Sequence, residues 1–433
     1  MDQTLIASLV ILGSMLFLLG SGLWVSIALL AVGMITLGGF SAAPMGSLMA
    51  STLWDSSWGW VLTSLPLFIW MGEILFRTNL SADMFRGLAP WLGRLPGGLL
   101  HVNILGCGAM AAVTGSSAVT CATIGRLSIP ELEKRGYPQK LSIGTLAGSG
   151  TLGLLIPPSI IMIVYGVTAE QSIAKLFIAG ILPAFVLIAL FMFYTGAWAL
   201  FNKDKMPPRE PYVPLMQRLY ASRSLIPVGL LIAFVIGSIY GGIATPTEAA
   251  AFGVIGALVL AFFSRTLTFE AFLDSLLTSV RTSCMISMII ASAACLSMSV
   301  AFLNLPSMLA SWVQSFGLPP MALLAVLAVA ILIIGCFLEG ISIIVLTSSV
   351  MLPMVQAAGI DMIWFGVFLV ILIEAAQITP PLGFNLFVLQ NITGKNILQI
   401  TWAALPYFLM MMLLLVIVTC FPQIVMVLPN LMR

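Results

Sequence analysis

Apolar residues along this 433-residue chain are gathered into long runs, and polar residues are confined to the gaps between them. The runs fall at about 5–20, 22–40, 60–76, 98–125, 141–166, 173–201, 224–240, 246–263, 282–303, 321–357, 362–392 and 402–428. A helix needs about 20 apolar residues to cross roughly 30 Å of bilayer hydrocarbon, so most runs predict one crossing each. Two stretches differ. Gly98 to Gly136 and Met321 to Gly359 are long, rich in small residues and interrupted midway, by Thr114-Gly115-Ser116-Ser117 and by Gly335-Cys336-Phe337-Leu338-Glu339-Gly340. Both read as re-entrant helical hairpins, the competing reading being a single tilted span with a surface loop. The pattern predicts an all-α polytopic membrane protein of about ten transmembrane helices plus two re-entrant hairpins.

Two further runs, Gly150 to Gly166 and Glu374 to Phe387, each carry a Pro-Pro pair where a spanning helix should be unbroken. Proline lacks an N–H and clashes with the preceding turn, so each pair ends one half-helix and lets another begin. Bare backbone at membrane depth is tolerated only against protein or a wet cavity, and broken helices in corresponding positions of two halves mark the binding sites of secondary transporters. The halves do correspond: 42 residues separate Gly115 from Pro157, and 40 separate Gly340 from Pro380.

Composition agrees with this reading, at 61% hydrophobic, 7% charged and a mean hydropathy of +1.14, and leaves no room for a sizeable soluble domain. The most polar stretch, Asn202 to Arg223, reads as one inter-helix loop. Six cysteines without CxxC spacing and a lone His101 support neither a zinc site, nor a disulfide framework, nor a catalytic cluster, so an enzyme is not expected. The N-terminus lacks a basic segment, so no cleaved signal is expected. Fifteen of the seventeen basic residues, all but Lys175 and Arg433, fall in loops that this topology places on one side, which the positive-inside rule makes cytoplasmic. Both termini then face the periplasm. The two hairpins enter from opposite faces, and the halves are inverted copies.

At the first tip Thr114, Ser116 and Ser117 lie beside the unwound stretch ending in Gly153, an oxygen-rich setting suited to sodium, a hard cation. A second sodium site would draw on Gly335, Gly340, Gln377, Ile378 and Thr379. Hydroxyls at a helix tip also serve as plain N-caps. An anionic group would meet the half-helix N-termini after Pro158 and Pro381, whose free N–H groups favour carboxylate, with Ser159 and Asn385 placed to add hydrogen bonds. Glu339 at the second tip and Glu374 ahead of the second break are ionisable groups at a costly depth, and so candidates as well.

The run GTLGLLIPPSIIMIVYGVTAEQSIAKLFIAGILPA (150–184), with GGIATPTEAAAFG (241–253) and TPPLGFNLFVLQNITG (379–394), resembles the large membrane subunit of tripartite ATP-independent periplasmic (TRAP) transporters, the C4-dicarboxylate permease type. The resemblance covers nearly the whole chain. It departs at Ala184, where the family usually has glycine. It implies sodium-coupled import of a small organic acid by an elevator movement, in the bacterial inner membrane. The implied partners are a small four-helix membrane subunit, expected as a separate chain, and a soluble periplasmic binding protein; no nucleic acid is implied. Carried over, the first sodium site takes Thr114, Ser117 and the carbonyls of Gly153 and Ile156, and substrate lies between the tips, near Ser116 and Ser342. The transporting elements would span about 97–200 and 321–428, and the scaffold about 1–76 and 223–263. Amphipathic arm helices would lie along the membrane at 81–95 and 266–279. A stand-alone sodium symporter of the same fold and an ion channel are the alternatives.

Overall fold

Proline and glycine pairs cut the apolar runs into a helical order that repeats. The computed structural model describes residues 3–78, 80–208, 212–305, 308, 311, 319–380 and 383–432. Arg209, Arg433 and most of the uncharged 304–320 stretch lie outside these residues.

The chain opens with α1 (Gln3–Gly20), α2 (Val25–Phe40), α3 (Met45–Ser57), α4 (Ser64–Phe76) and α5 (Leu80–Leu92). Next come α6 (Leu100–Thr114) and α7 (Ser117–Lys134), which pack on each other as a hairpin. After α8 (Gln139–Gly150) a 3-10 turn, Thr151–Leu154, leads into the first break; α9 (Ile160–Thr168) and α10 (Ile173–Phe201) complete the first half. The middle holds α11 (Leu215–Ser222), α12 (Ile226–Tyr240), α13 (Pro246–Phe263) and α14 (Phe269–Phe302). The second half repeats the order: α15 (Pro320–Gly335) and α16 (Gly340–Ala357) form a hairpin, α17 (Met362–Ala376) leads into the second break, and α18 (Phe384–Thr393) and α19 (Ile397–Cys420) follow. A short α20 (Gln423–Leu431) ends the chain. Among the described residues there is no strand. Among the described residues, five helices are long and apolar enough to cross a bilayer, or up to seven when each bent pair is one span, beside five shorter apolar helices.

The surface is that of a protein solvated by lipid. Phe193 and Phe262 are 75% and 67% exposed, while Ser292 and Thr195 are fully buried. Lipid tails are as apolar as leucine, so small and hydroxyl-bearing residues, which let helices approach closely, take the interior.

Helices α2, α3 and α4 pack along α14, and α12 and α13 extend this group through α4. The remaining bundle is cross-paired. Hairpin arm α7 packs on α18, the far half of the second broken helix, and hairpin arm α16 packs on α9, the far half of the first. Each hairpin is therefore seated on the break of the opposite repeat as well as its own.

Three elements differ from the sequence reading. The stretch 202–223, expected as a loop, contains α11, which packs on α5. Trp91 Nε1 donates to Ser222 Oγ at 2.7 Å, and the Arg218 guanidinium lies 5.9 Å above the Trp91 ring. Prolines on both sides hide this short helix from a hydropathy scan. Residues 266–279 do not form a separate helix but begin the continuous 34-residue α14, because nothing after Thr268 breaks it. Helix α3 falls between two apolar runs and meets α4 at 52°, its start set by Pro44.

Candidate functional site

The first tip needs glycine. Gly115 has φ +59°, and a Cβ there would stand 2.6 Å from the Pro158 carbonyl oxygen, so the tip backbone rests directly on the break. Gly153 makes the same demand from the other side: a Cβ would lie 2.7 Å from the Ser116 carbonyl carbon and oxygen. Thr114, Ser116, Ser117, Gly153 and Pro158, which the sequence reading placed at one site, are thus brought together.

Hydrogen bonds then decide which groups remain free. The Thr114 and Thr120 hydroxyls lie 2.8 Å apart, and Thr120 Oγ1 donates to the Ser116 carbonyl at 2.8 Å. Thr120 was not foreseen, since it lies a turn inside α7. Ser159 is fully buried and caps α9, accepting from Met162 N at 3.3 Å while its hydroxyl donates to the Leu154 carbonyl. Both of its hydrogen-bonding roles are therefore filled within the break.

At the second tip Gly340 sits so close to its neighbours that a Cβ would be 3.1 Å from Gln377 Nε2 and 2.8 Å from Ile373 Cγ2. Glu339 occupies the N-cap position of α16 without a capping hydrogen bond, and Ser342 is buried in the first turn. Gly335, the last residue of α15, abuts Ala376 at the end of α17. In the second break Gln377 and Ile378 are buried, and Thr379 Oγ1 donates to the Ala375 carbonyl at 2.7 Å. Pro381 lies outside the described residues.

The two sites expected from sequence meet through one side chain. Ser117 Oγ, at the first tip, donates to Gln377 Oε1 of the second break and lies 3.3 Å from Asn385 Oδ1. Asn385 is fully buried, its backbone N–H donates to the Gln377 carbonyl at 3.2 Å, and among the described residues its Nδ2 has no partner. Ser116, Ser117, Glu339, Gly340 and Gln377 line a small cavity of about 90 Å³, with Met285 and Ile286 of α14 also in its lining. Ile156 lies in the first break, outside that lining.

Glu374 is fully buried one turn before the second break, with the Leu155 backbone beside its carboxyl. Among the described residues neither carboxylate oxygen has a hydrogen-bond partner within normal geometry. A buried carboxylate without a partner costs several kcal/mol, so its charge calls for a cation or a proton. Among the described residues no cluster of three or more His, Cys, Asp or Glu could hold a metal ion.

A second, larger cavity with several polar lining residues was missed in the sequence because its members share no motif. A cavity of about 750 Å³ includes Asp55, Thr168, Glu170, Ser297 and Ser348. It lies along the same two helices, α14 and α16, that carry Ile286 and Ile341 at the central cavity.

Residues 12–424 match the family described as "Tripartite ATP-independent periplasmic transporter, DctM component". A C4-dicarboxylate TRAP transporter large permease protein of Pseudomonas aeruginosa is 34% identical, over 88% of this chain and 89% of the relative. One from Rhodobacter capsulatus is 32% identical, over 98% of this chain and 99% of the relative. Among solved structures, that of the Alcanivorax borkumensis YdaH transporter covers 98% of this chain and 100% of its own at a TM-score of 0.67 and 14% identity, a likeness of fold alone.

Proposed function

The chain belongs to the DctM component family of tripartite ATP-independent periplasmic transporters, a family of transporter permeases and not of enzymes, and on that premise we propose that it imports a small carboxylate-bearing solute using the sodium gradient. The observation that carries the proposal is the contact from Ser117 of the first tip to Gln377 and Asn385 of the second break, beside a cavity that Glu339 and Gly340 of the second tip also line. Sodium would take the oxygens of Thr114, Ser117, Gln377 and the break carbonyls, with the Glu374 carboxylate supplying the counter-charge nearby. The Asn385 amide donor and the N-termini of α9 and α18 would face the solute carboxylate. The hairpin-bearing halves would move against the group built on α2, α4, α13 and α14 in an elevator cycle.

The partners follow from what the family name describes. A small membrane subunit and a periplasmic binding protein complete the transporter, which sits in the bacterial inner membrane; the basic loops support periplasmic termini. Reconstituted alone, the chain is expected to transport little. Adding both partners should restore sodium-driven uptake that survives ATP depletion while the gradient is held. Full uptake of free solute by this chain alone would instead identify a self-sufficient symporter.

The site itself is tested by a double-mutant cycle on Ser117→Ala and Gln377→Ala. Residues in direct contact couple by about 0.5–3 kcal/mol, so the pair should lose less sodium activation than the two single losses summed. Unchanged sodium dependence in the double variant would remove both residues from the site.

A further inference from the structure

A groove of about 800 Å³ separates α12 from the hairpin-bearing bundle, and it lies apart from the solute cavity. One wall is the α12 face carrying Gly229, Ala233 and Gly237; the opposite wall includes Pro157 of the first break and Phe185 of α10. No lining side chain carries nitrogen or oxygen apart from Tyr240 at its end. We propose that this groove binds one acyl chain of a bilayer phospholipid, held as a wedge between α12 and the first broken helix.

Size and depth select that occupant. From Gly229 to Tyr240 the groove follows α12 for about 16 Å, within an apolar run that crosses the bilayer. A carboxylate solute would find no donor there beyond the Tyr240 hydroxyl at the end, and water finds too few polar partners to enter an apolar cavity. A methylene chain needs neither. The groove is also continuous with the lipid-facing surface: Phe185 in its wall is 64% exposed, and Leu230 and Phe234 on the neighbouring α12 positions are 65% and 56% exposed. A Cβ at Gly229 or Gly237 would meet nothing within 4 Å, so the small residues leave width for a chain. Since tails and groove are equally apolar, dispersion contacts on both sides of the chain, not water exclusion, favour occupancy.

The test separates binding from transport. Purified protein is reconstituted in vesicles containing a phospholipid with a photoactivatable diazirine on its acyl chain, irradiated and mapped by peptide mass spectrometry. Labelling is expected to concentrate on 105–112, 181–188 and 229–237, above that on the lipid-facing surface around Phe262. Ala233→Phe, which fills the groove, should lower it about fivefold there and leave the surface label unchanged, and Gly237→Leu serves if that variant fails to fold. Labelling no higher in the groove than on the surface, labelling unchanged by either variant, or labelling by a diazirine fatty acid but not by the phospholipid would overturn the proposal. None of these readouts depends on uptake, so the sodium-coupled import proposed above can fail without deciding this result.

Discussion

Gly153→Leu is expected to reduce uptake to background while the protein still reaches the membrane. The argument is steric and local. A Cβ at this position would stand 2.7 Å from the carbonyl carbon and oxygen of Ser116 and 2.9 Å from the amide nitrogen of Ser117. All three are backbone atoms, so no side chain can swing aside. Overpacking of this kind costs about 1–3 kcal/mol when surroundings can shift, and the shift available here is displacement of the first tip from the break. That displacement pulls Ser117 from Gln377 and Asn385 and opens the central cavity. Gly39→Leu, where a Cβ would meet nothing within 4 Å, is the matched control. Proteoliposome uptake with detergent-solubilised thermal stability as the second readout decides the matter. Near wild-type uptake in Gly153→Leu would mean that the tip does not rest on the break during transport.

Glu374→Gln is expected to separate stability from function. The substitution keeps the side chain's shape and removes a fully buried carboxyl that must otherwise be neutralised by a cation or a proton, so the folded protein should gain about 1 kcal/mol or more. A rise in thermal midpoint is the readout. Transport should move the other way, since losing the counter-charge near the proposed cation site should weaken sodium activation about tenfold or more, roughly 1.4 kcal/mol. A variant that is both destabilised and fully active would reverse both halves of the reasoning.

Much of this was legible because proline and glycine act locally. Pro157-Pro158 and Pro380-Pro381 announce broken helices from the sequence, and Gly115 and Gly340 announce tips, since no other residues at membrane depth interrupt a helix so plainly. What the local code could not carry is partnership. Ser117 and Gln377 stand 260 residues apart, and nothing at either position names the other; the sequence divided them between two sites. Asn385 was legible as a polar residue after a break, but not as the neighbour of Ser117. Helix α11 was lost for a different reason. It is too short to stand alone and exists through its packing on α5, anchored where Trp91 meets Ser222. The length of α14 was not legible because a charged amphipathic segment looks the same whether it stands as a separate helix or begins a longer one.

The crossing of the hairpins has a consequence for how such a chain can arise. Because α7 is seated on α18 and α16 on α9, one repeat alone would hold a tip with half of its seat missing. The smallest self-sufficient unit of this architecture is therefore a pair. A half-length version of the chain could complete either tip only if a second copy lent its break, so it would have to work as a reciprocal dimer. In one chain the same exchange is intramolecular, and neither half can lose its break without unseating the other's tip.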